Sequence, residues 1–153
     1  MNKIKIPEFK LIGLQLPDKT SNERGQSSID CGALWQKFNA ENVQARIPEK
    51  LSDEIYAVYF DYEGDHTKPF SYFIGGKVKM DTKTPKGMDT LIIPAGQYSK
   101  VLAKGKMPDC LIDSWKEIWR SKKDRAYKSD FEIYDERSRD WNNAEVDIYL
   151  SSL

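Results

Sequence analysis

Apolar and polar residues alternate most cleanly at Ser129-Asp130-Phe131-Glu132-Ile133-Tyr134 and again at Glu145-Val146-Asp147-Ile148-Tyr149-Leu150. A period of two is the mark of a strand with two unlike faces. It places Phe131 and Ile133 on one side, and Asp130, Glu132 and Tyr134 on the other. Further strands are expected at Phe9–Leu16, Glu54–Tyr62, Phe70–Lys79, Asp89–Ile93 and Gln97–Ala103, from their β-branched and aromatic content. Gly75-Gly76, inside one of them, predicts a bulge or a close backbone approach. Two segments carry helical spacing instead. One opens at Ser28-Ile29-Asp30, which offers a cap, and runs to about Asn42 with Ile29, Leu34, Trp35 and Phe38 as its stripe. The other spans Asp109–Arg120, with Leu111, Ile112, Trp115, Ile118 and Trp119 on a broad apolar face. The order strand, helix, strand pair thus occurs twice. This predicts an α+β fold, with a mainly antiparallel sheet and a pseudo-two-fold axis.

Composition narrows the functional classes. A chain of 153 residues is one domain's length and buries a core without staples. Lys+Arg and Asp+Glu are both 24, so no basic excess points to direct nucleic-acid binding. No apolar run is long enough to span a membrane, and the start Met1-Asn2-Lys3-Ile4-Lys5-Ile6-Pro7 lacks the apolar stretch of a signal peptide, so a cytoplasmic location is expected. Cys31 and Cys110 are too few for a disulfide framework, and a single histidine, His66 in a polar loop, argues against a His-based metal site or a Ser-His-Asp triad. No metal or cofactor is expected.

What the chain has in abundance is aromatic surface: 4 Trp, 8 Tyr and 6 Phe. An acid held among aromatic rings suits an organic cation, with the carboxylate supplying opposite charge and the ring faces cation–π attraction. Glu132 is the candidate acid, and Trp35, Tyr59, Tyr72, Trp115, Trp119 and Tyr149 are candidate walls. Alternation alone leaves a second reading open, in which Glu132 is solvated on the sheet's outer face and the aromatics are core. Trp141, in a charged loop, reads as a surface flap or partner contact.

Taken in order, these segments resemble a known family. Ile29-Asp30-Cys31-Gly32-Ala33-Leu34-Trp35 with Phe38, Ile55-Tyr56-Ala57-Val58-Tyr59 with Tyr62-Glu63, and Ile93-Pro94-Ala95-Gly96-Gln97-Tyr98 are followed by Gly105, Trp115 with Ile118-Trp119, Asp130-Phe131-Glu132-Ile133-Tyr134 and Val146-Asp147-Ile148-Tyr149. The set is similar to the GyrI-like (AraC-type effector-binding) small-molecule-binding domains and covers nearly the whole chain. The resemblance implies two pseudo-symmetric strand–helix–strand–strand units sharing one curved antiparallel sheet, residues 1–153 forming a single such domain, and a ligand groove between the halves. It implies that Glu132 is the acid at the pocket floor, with Asp147 and Tyr149 lining the pocket. The family's regulators carry a DNA-binding segment ahead of this domain. The resemblance places the start of the domain at Met1, with no room for a helix-turn-helix, so a free-standing member is expected, similar to the cationic-drug-binding proteins carried on integron cassettes and serving sensing or sequestration.

Two alternatives accompany this reading. Some members of the superfamily look like hydrolases of strained cyclopropanoid compounds, a role for Glu132 as general base with Tyr98 or Tyr149. Others are named for binding a DNA gyrase, which would need an exposed face such as Ser121-Lys122-Lys123-Asp124-Arg125 or Arg137-Ser138-Arg139-Asp140-Trp141. An aromatic-rich last strand, if it lies at a sheet edge, is also placed to pair between chains.

Overall fold

The computed structural model describes residues 3–121 and 124–153. The strands are β1 (Lys3–Ile6), β2 (Phe9–Gln15), β3 (Ile55–Phe60), β4 (Ser71–Val78), β5 (Asp89–Ile93), β6 (Gly96–Gly105), β7 (Ser129–Tyr134) and β8 (Ala144–Ser151), and the helices are α1 (Gln26–Ala40), α2 (Val43–Arg46) and α3 (Asp109–Ser121). The strands form one sheet in the order β1-β6-β8-β7-β3-β4-β2-β5, antiparallel throughout. The β7–β3 ladder divides it into matching halves: β7-β8-β6 on one side and β3-β4-β2 on the other. Each half is strand, helix, strand pair, as the sequence predicts. Each also has a leading strand that crosses to the other half, β1 pairing with β6 and β5 with β2. The four-residue β1 was not anticipated, because so short a run of alternating Lys and Ile carries little periodicity. β8 lies inside the sheet, between β6 and β7, so the idea of an aromatic edge strand pairing between chains falls.

Facing residues on paired strands share a side. Ala57, Tyr59, Tyr72 and Ile74 therefore join Asp130 and Glu132 on one face, where α1 packs on β2 and β4, and α3 on β6. Leu34 and Phe38 of α1 bury against Ile12, Ala57, Tyr72 and Ile74. Trp115 and Ile118 of α3 bury against Val146, Ile148 and Leu150. The helix stripe differs from expectation at one residue. α1 opens at Gln26 behind a left-handed Gly25, with no side-chain cap, and its buried stripe is Cys31, Leu34, Trp35 and Phe38, at i, i+3, i+4 and i+7. Ile29 falls outside that phase and is 64% exposed.

The opposite face is also apolar. Phe131 lies at its centre, with ring centroids 5.5 Å from Phe9, 5.2 Å from Tyr98 and 5.0 Å from Tyr149. Phe9 is on β2, three strands from β7, which is about 14 Å away in a flat sheet. The sheet curls toward this side and closes a second core without any helix.

Gly75 produces no bulge. The ladder runs unbroken through Gly13–Gly75 and Ile12–Gly76. A Cβ on Gly13 would meet the Ile74 carbonyl oxygen at 1.9 Å, and one on Gly75 would meet the Ile12 oxygen at 2.4 Å. Gly13→Ala should therefore cost about 1–3 kcal/mol in urea unfolding, with the loss set by backbone that must separate. An unchanged midpoint would show that the strands are not held this closely.

Candidate functional site

Between α1 and α3, over the middle of the sheet, lies a cleft of about 1350 Å³. Cys31 and Trp35 reach it from α1, Tyr59 from β3, Tyr72 from β4, Trp115 and Trp119 from α3, and Glu132 and Tyr134 from β7. Six of the eight residues expected from sequence thus converge there: Trp35, Tyr59, Tyr72, Trp115, Trp119 and Glu132.

Glu132 is completely buried. Its Oε2 accepts from Trp115 Nε1 at 2.6 Å and from the Tyr59 hydroxyl at 2.8 Å, while Oε1 accepts from the Tyr134 hydroxyl at 2.6 Å. Strand geometry explains the cage. Tyr134 is two residues along the same strand and so on the same face, and Tyr59 is the diagonal neighbour across β3, beside the facing Ala57. Burial pushes the carboxyl above its ordinary pKa, and the three hydrogen bonds pull part of the way back. The donors are neutral, and among the described residues no Lys, Arg or His forms an ion pair with Glu132.

The surrounding rings form a connected wall. Trp35 Nε1 donates to the Tyr72 hydroxyl at 2.8 Å. Tyr59 lies 5.0 Å from both Tyr72 and Trp115 by centroid, and Trp35 lies 5.0 Å from Tyr134. Burial, reinforced by the Glu132 charge, holds the Tyr59, Tyr72 and Tyr134 hydroxyls well above the ordinary phenol range, so all three stay protonated, Tyr59 and Tyr134 as donors to Glu132. The same two causes keep Cys31 a thiol.

Asp147 and Tyr149 are not in the cleft. β8 pairs Tyr149 with Phe131 and Asp147 with Ile133, which puts both on the far side of the sheet from Glu132. Tyr149 stacks on Phe131 at 19°, and Asp147 accepts from Arg137 at 2.7 Å. Tyr98 also packs in that second core, so neither Tyr98 nor Tyr149 can act with Glu132 as the hydrolase alternative required. Sequence reasoning missed Tyr134 as a site residue, although it shares the period-2 face with Glu132. It missed Asp130 too, which is fully buried and paired with the buried Arg125 at 2.6 Å. Asp130 also accepts from the Tyr62 hydroxyl at 2.7 Å and from the Ser151 backbone N–H at 2.7 Å. Arg125 closes the charged run Ser121-Lys122-Lys123-Asp124-Arg125, offered above as an exposed face, of which Lys122 and Lys123 lie outside the described residues. Arg137, in the other proposed interaction face, is tied to Asp135 and Asp147, while Trp141 is 60% exposed and lies at the cleft's rim.

This curled sheet with two helix-flanked halves is the fold of the GyrI-like effector-binding proteins. The chain belongs to the Cass2 family of integron-associated effector binding proteins, whose model matches residues 4–151. It is similar to the integron cassette protein VCH_CASS2 from the mobile metagenome of Vibrio cholerae: 27% identity, 99% of this chain, 95% of that one, TM-score 0.72. The structure of SAV2435 bound to tetraphenylphosphonium shares the fold, with a TM-score of 0.79 at 17% identity over 99% of this chain and 93% of that one. The transcriptional-regulator-like protein YobU of Bacillus subtilis (strain 168) is 27% identical over 123 residues, 78% of this chain and 77% of YobU. No helix among the described residues is long and apolar enough to cross a membrane.

Proposed function

We propose that the cleft binds lipophilic, aromatic organic cations, with Glu132 as counter-charge and Trp35, Tyr59, Tyr72, Trp115, Trp119 and Tyr134 as its walls. The observation that carries this reading is a carboxyl group completely buried, caged by neutral donors and unpaired with any cation among the described residues. An ionised acid without a counter-ion is costly to bury. Three neutral donors spread its charge but leave it uncompensated. A bound cation supplies the missing charge while its apolar body covers ring surface. Each cation–π contact adds about 0.5–2 kcal/mol, and flat walls tolerate ligands of varied outline. That SAV2435, with the same fold, binds tetraphenylphosphonium supports the reading. Binding of this kind needs no chemical step and serves sensing or sequestration.

A pH profile tests it. Glu132 must be ionised to attract a cation, and its carboxyl titrates above the ordinary range in the free protein. Affinity for a permanent cation such as tetraphenylphosphonium should therefore rise as pH climbs through the raised Glu132 value, then level off. Binding within that window should release protons, read as a calorimetric enthalpy that depends on the buffer's ionisation heat. A flat affinity profile with no proton release would contradict the role given to Glu132.

A further inference from the structure

One end of the cleft has polar groups that Glu132 does not use. Among the described residues four buried side-chain polar atoms lack a hydrogen-bond partner, and two of them, Arg125 Nε and His66 Nδ1, belong to residues lining this cleft. Arg125 is 6% exposed. Its Nη2 donates to Asp130 at 2.6 Å and its Nη1 reaches the Tyr127 hydroxyl at 3.4 Å, but Nε–H has no acceptor. Asp130 cannot supply one. Its Oδ2 already takes Arg125 and Tyr62, and its Oδ1 takes both the backbone N–H and the hydroxyl of Ser151. An orphaned donor on a buried charged group is a standing penalty that an incoming oxygen removes.

From this geometry we infer that the cleft contains a second, acceptor-binding subsite at Arg125, to which His66 of the same cleft contributes. Its preferred ligands are lipophilic cations that also carry a carbonyl, ester or ether oxygen. The inference rests on the cation-binding reading of Glu132. Placement favours a single ligand spanning both. Asp130 and Glu132 face the same way two residues apart on β7, about 7 Å along the strand. The Arg125 guanidinium carbon lies 5.8 Å from the centre of the Trp115 ring, the same indole whose N–H donates to Glu132. A ligand whose cationic centre and oxygen are one aromatic ring apart matches that spacing. His66, stacked on Trp119 at 5.3 Å and 6°, lines the same cleft, and its Nδ1 is the second orphaned atom there.

The test compares two cations of one shape: tetraphenylphosphonium bearing a single para-acetyl group, and the same cation bearing para-isopropyl. In the second compound a methyl group stands in place of the carbonyl oxygen. Tryptophan fluorescence titration of the wild-type chain should give the acetyl compound about tenfold tighter binding. Arg125→Lys keeps a cation facing Asp130 but lacks the guanidinium Nε–H, and should bring the ratio of the two affinities to within about twofold of one. If that variant does not fold, His66→Phe, which keeps a ring against Trp119 and removes Nδ1, should lower the ratio about threefold. Equal wild-type affinities, or a preference that neither variant reduces, would overturn the subsite alone. Failure of both cations to bind, or equal binding of the isopropyl compound by wild type and Glu132→Gln, would overturn the Glu132 reading and the subsite with it.

Discussion

Replacing Glu132 by Gln should weaken tetraphenylphosphonium binding about a hundredfold, while changing the affinity of a neutral triaryl ligand such as triphenylmethanol by no more than about threefold. Glutamine has the same shape, and the cage can accept it. Its oxygen, placed where Oε2 now lies, takes the Trp115 and Tyr59 donors, and its amide nitrogen donates to a Tyr134 hydroxyl that turns to accept. Only the charge is lost. Stability should shift the other way. Because the folded protein raises the Glu132 carboxyl above its ordinary value, it holds that proton more tightly than the unfolded chain does. This contribution is complete below the unfolded value and is lost as pH rises through the folded one. Glu132→Gln removes that loss, so the variant should unfold at higher urea than wild type near neutral pH, with the difference vanishing below the ordinary carboxyl range. Equal weakening of the cation and the neutral ligand would show that Glu132 contributes shape rather than charge.

Asp130→Ala should cost about 3–5 kcal/mol in urea unfolding, the largest stability effect expected of a single side chain on this face of the sheet. The substitution strands the Arg125 guanidinium, whose side chain is 2% exposed, without its partner. It also takes the acceptor from Tyr62 and from the backbone N–H and hydroxyl of Ser151, loosening the tie between β7 and the end of β8. Removing both charges should cost less than removing one, so Asp130→Leu combined with Arg125→Met should recover most of the loss in a double-mutant cycle. A cost below about 1 kcal/mol for Asp130→Ala would place the pair among weak surface contacts.

The strand around Glu132 was legible from alternation, and so was the fact that residues 130, 132 and 134 share a face. The burial of that face was not. A strand with three polar residues on one side has the same pattern whether water or helices cover it, and here the cover comes from α3, just ahead of β7 in the chain, and from α1, far upstream, neither of which the alternation within β7 reports. Asp147 and Tyr149 were placed in the pocket by the family resemblance, and nothing in the local pattern could check that placement. Alternation in β8 sorts its residues into two sets, but the register with β7 decides which set faces the cleft, and that register is a long-range property. Arg125 was hidden by its neighbours in a charged run, since its burial depends on pairing with Asp130 of β7 and on the Tyr127 and Trp115 rings beside its guanidinium, contacts that the run itself does not report. The repeated order of elements and the ordered family signatures, by contrast, carried the architecture through, including the match of the two halves about the β7–β3 ladder.

With Glu132 as the proposed counter-charge, the cleft should select for positive charge on an aromatic body. Tetraphenylphosphonium and tetraphenylborate have nearly the same shape and opposite charge, and Trp35, Trp115 and Trp119 line the cleft as reporters. Titrating both against tryptophan fluorescence should give saturable quenching at micromolar phosphonium and no saturable response to the borate. Binding of both ions, or of neither, would contradict the account.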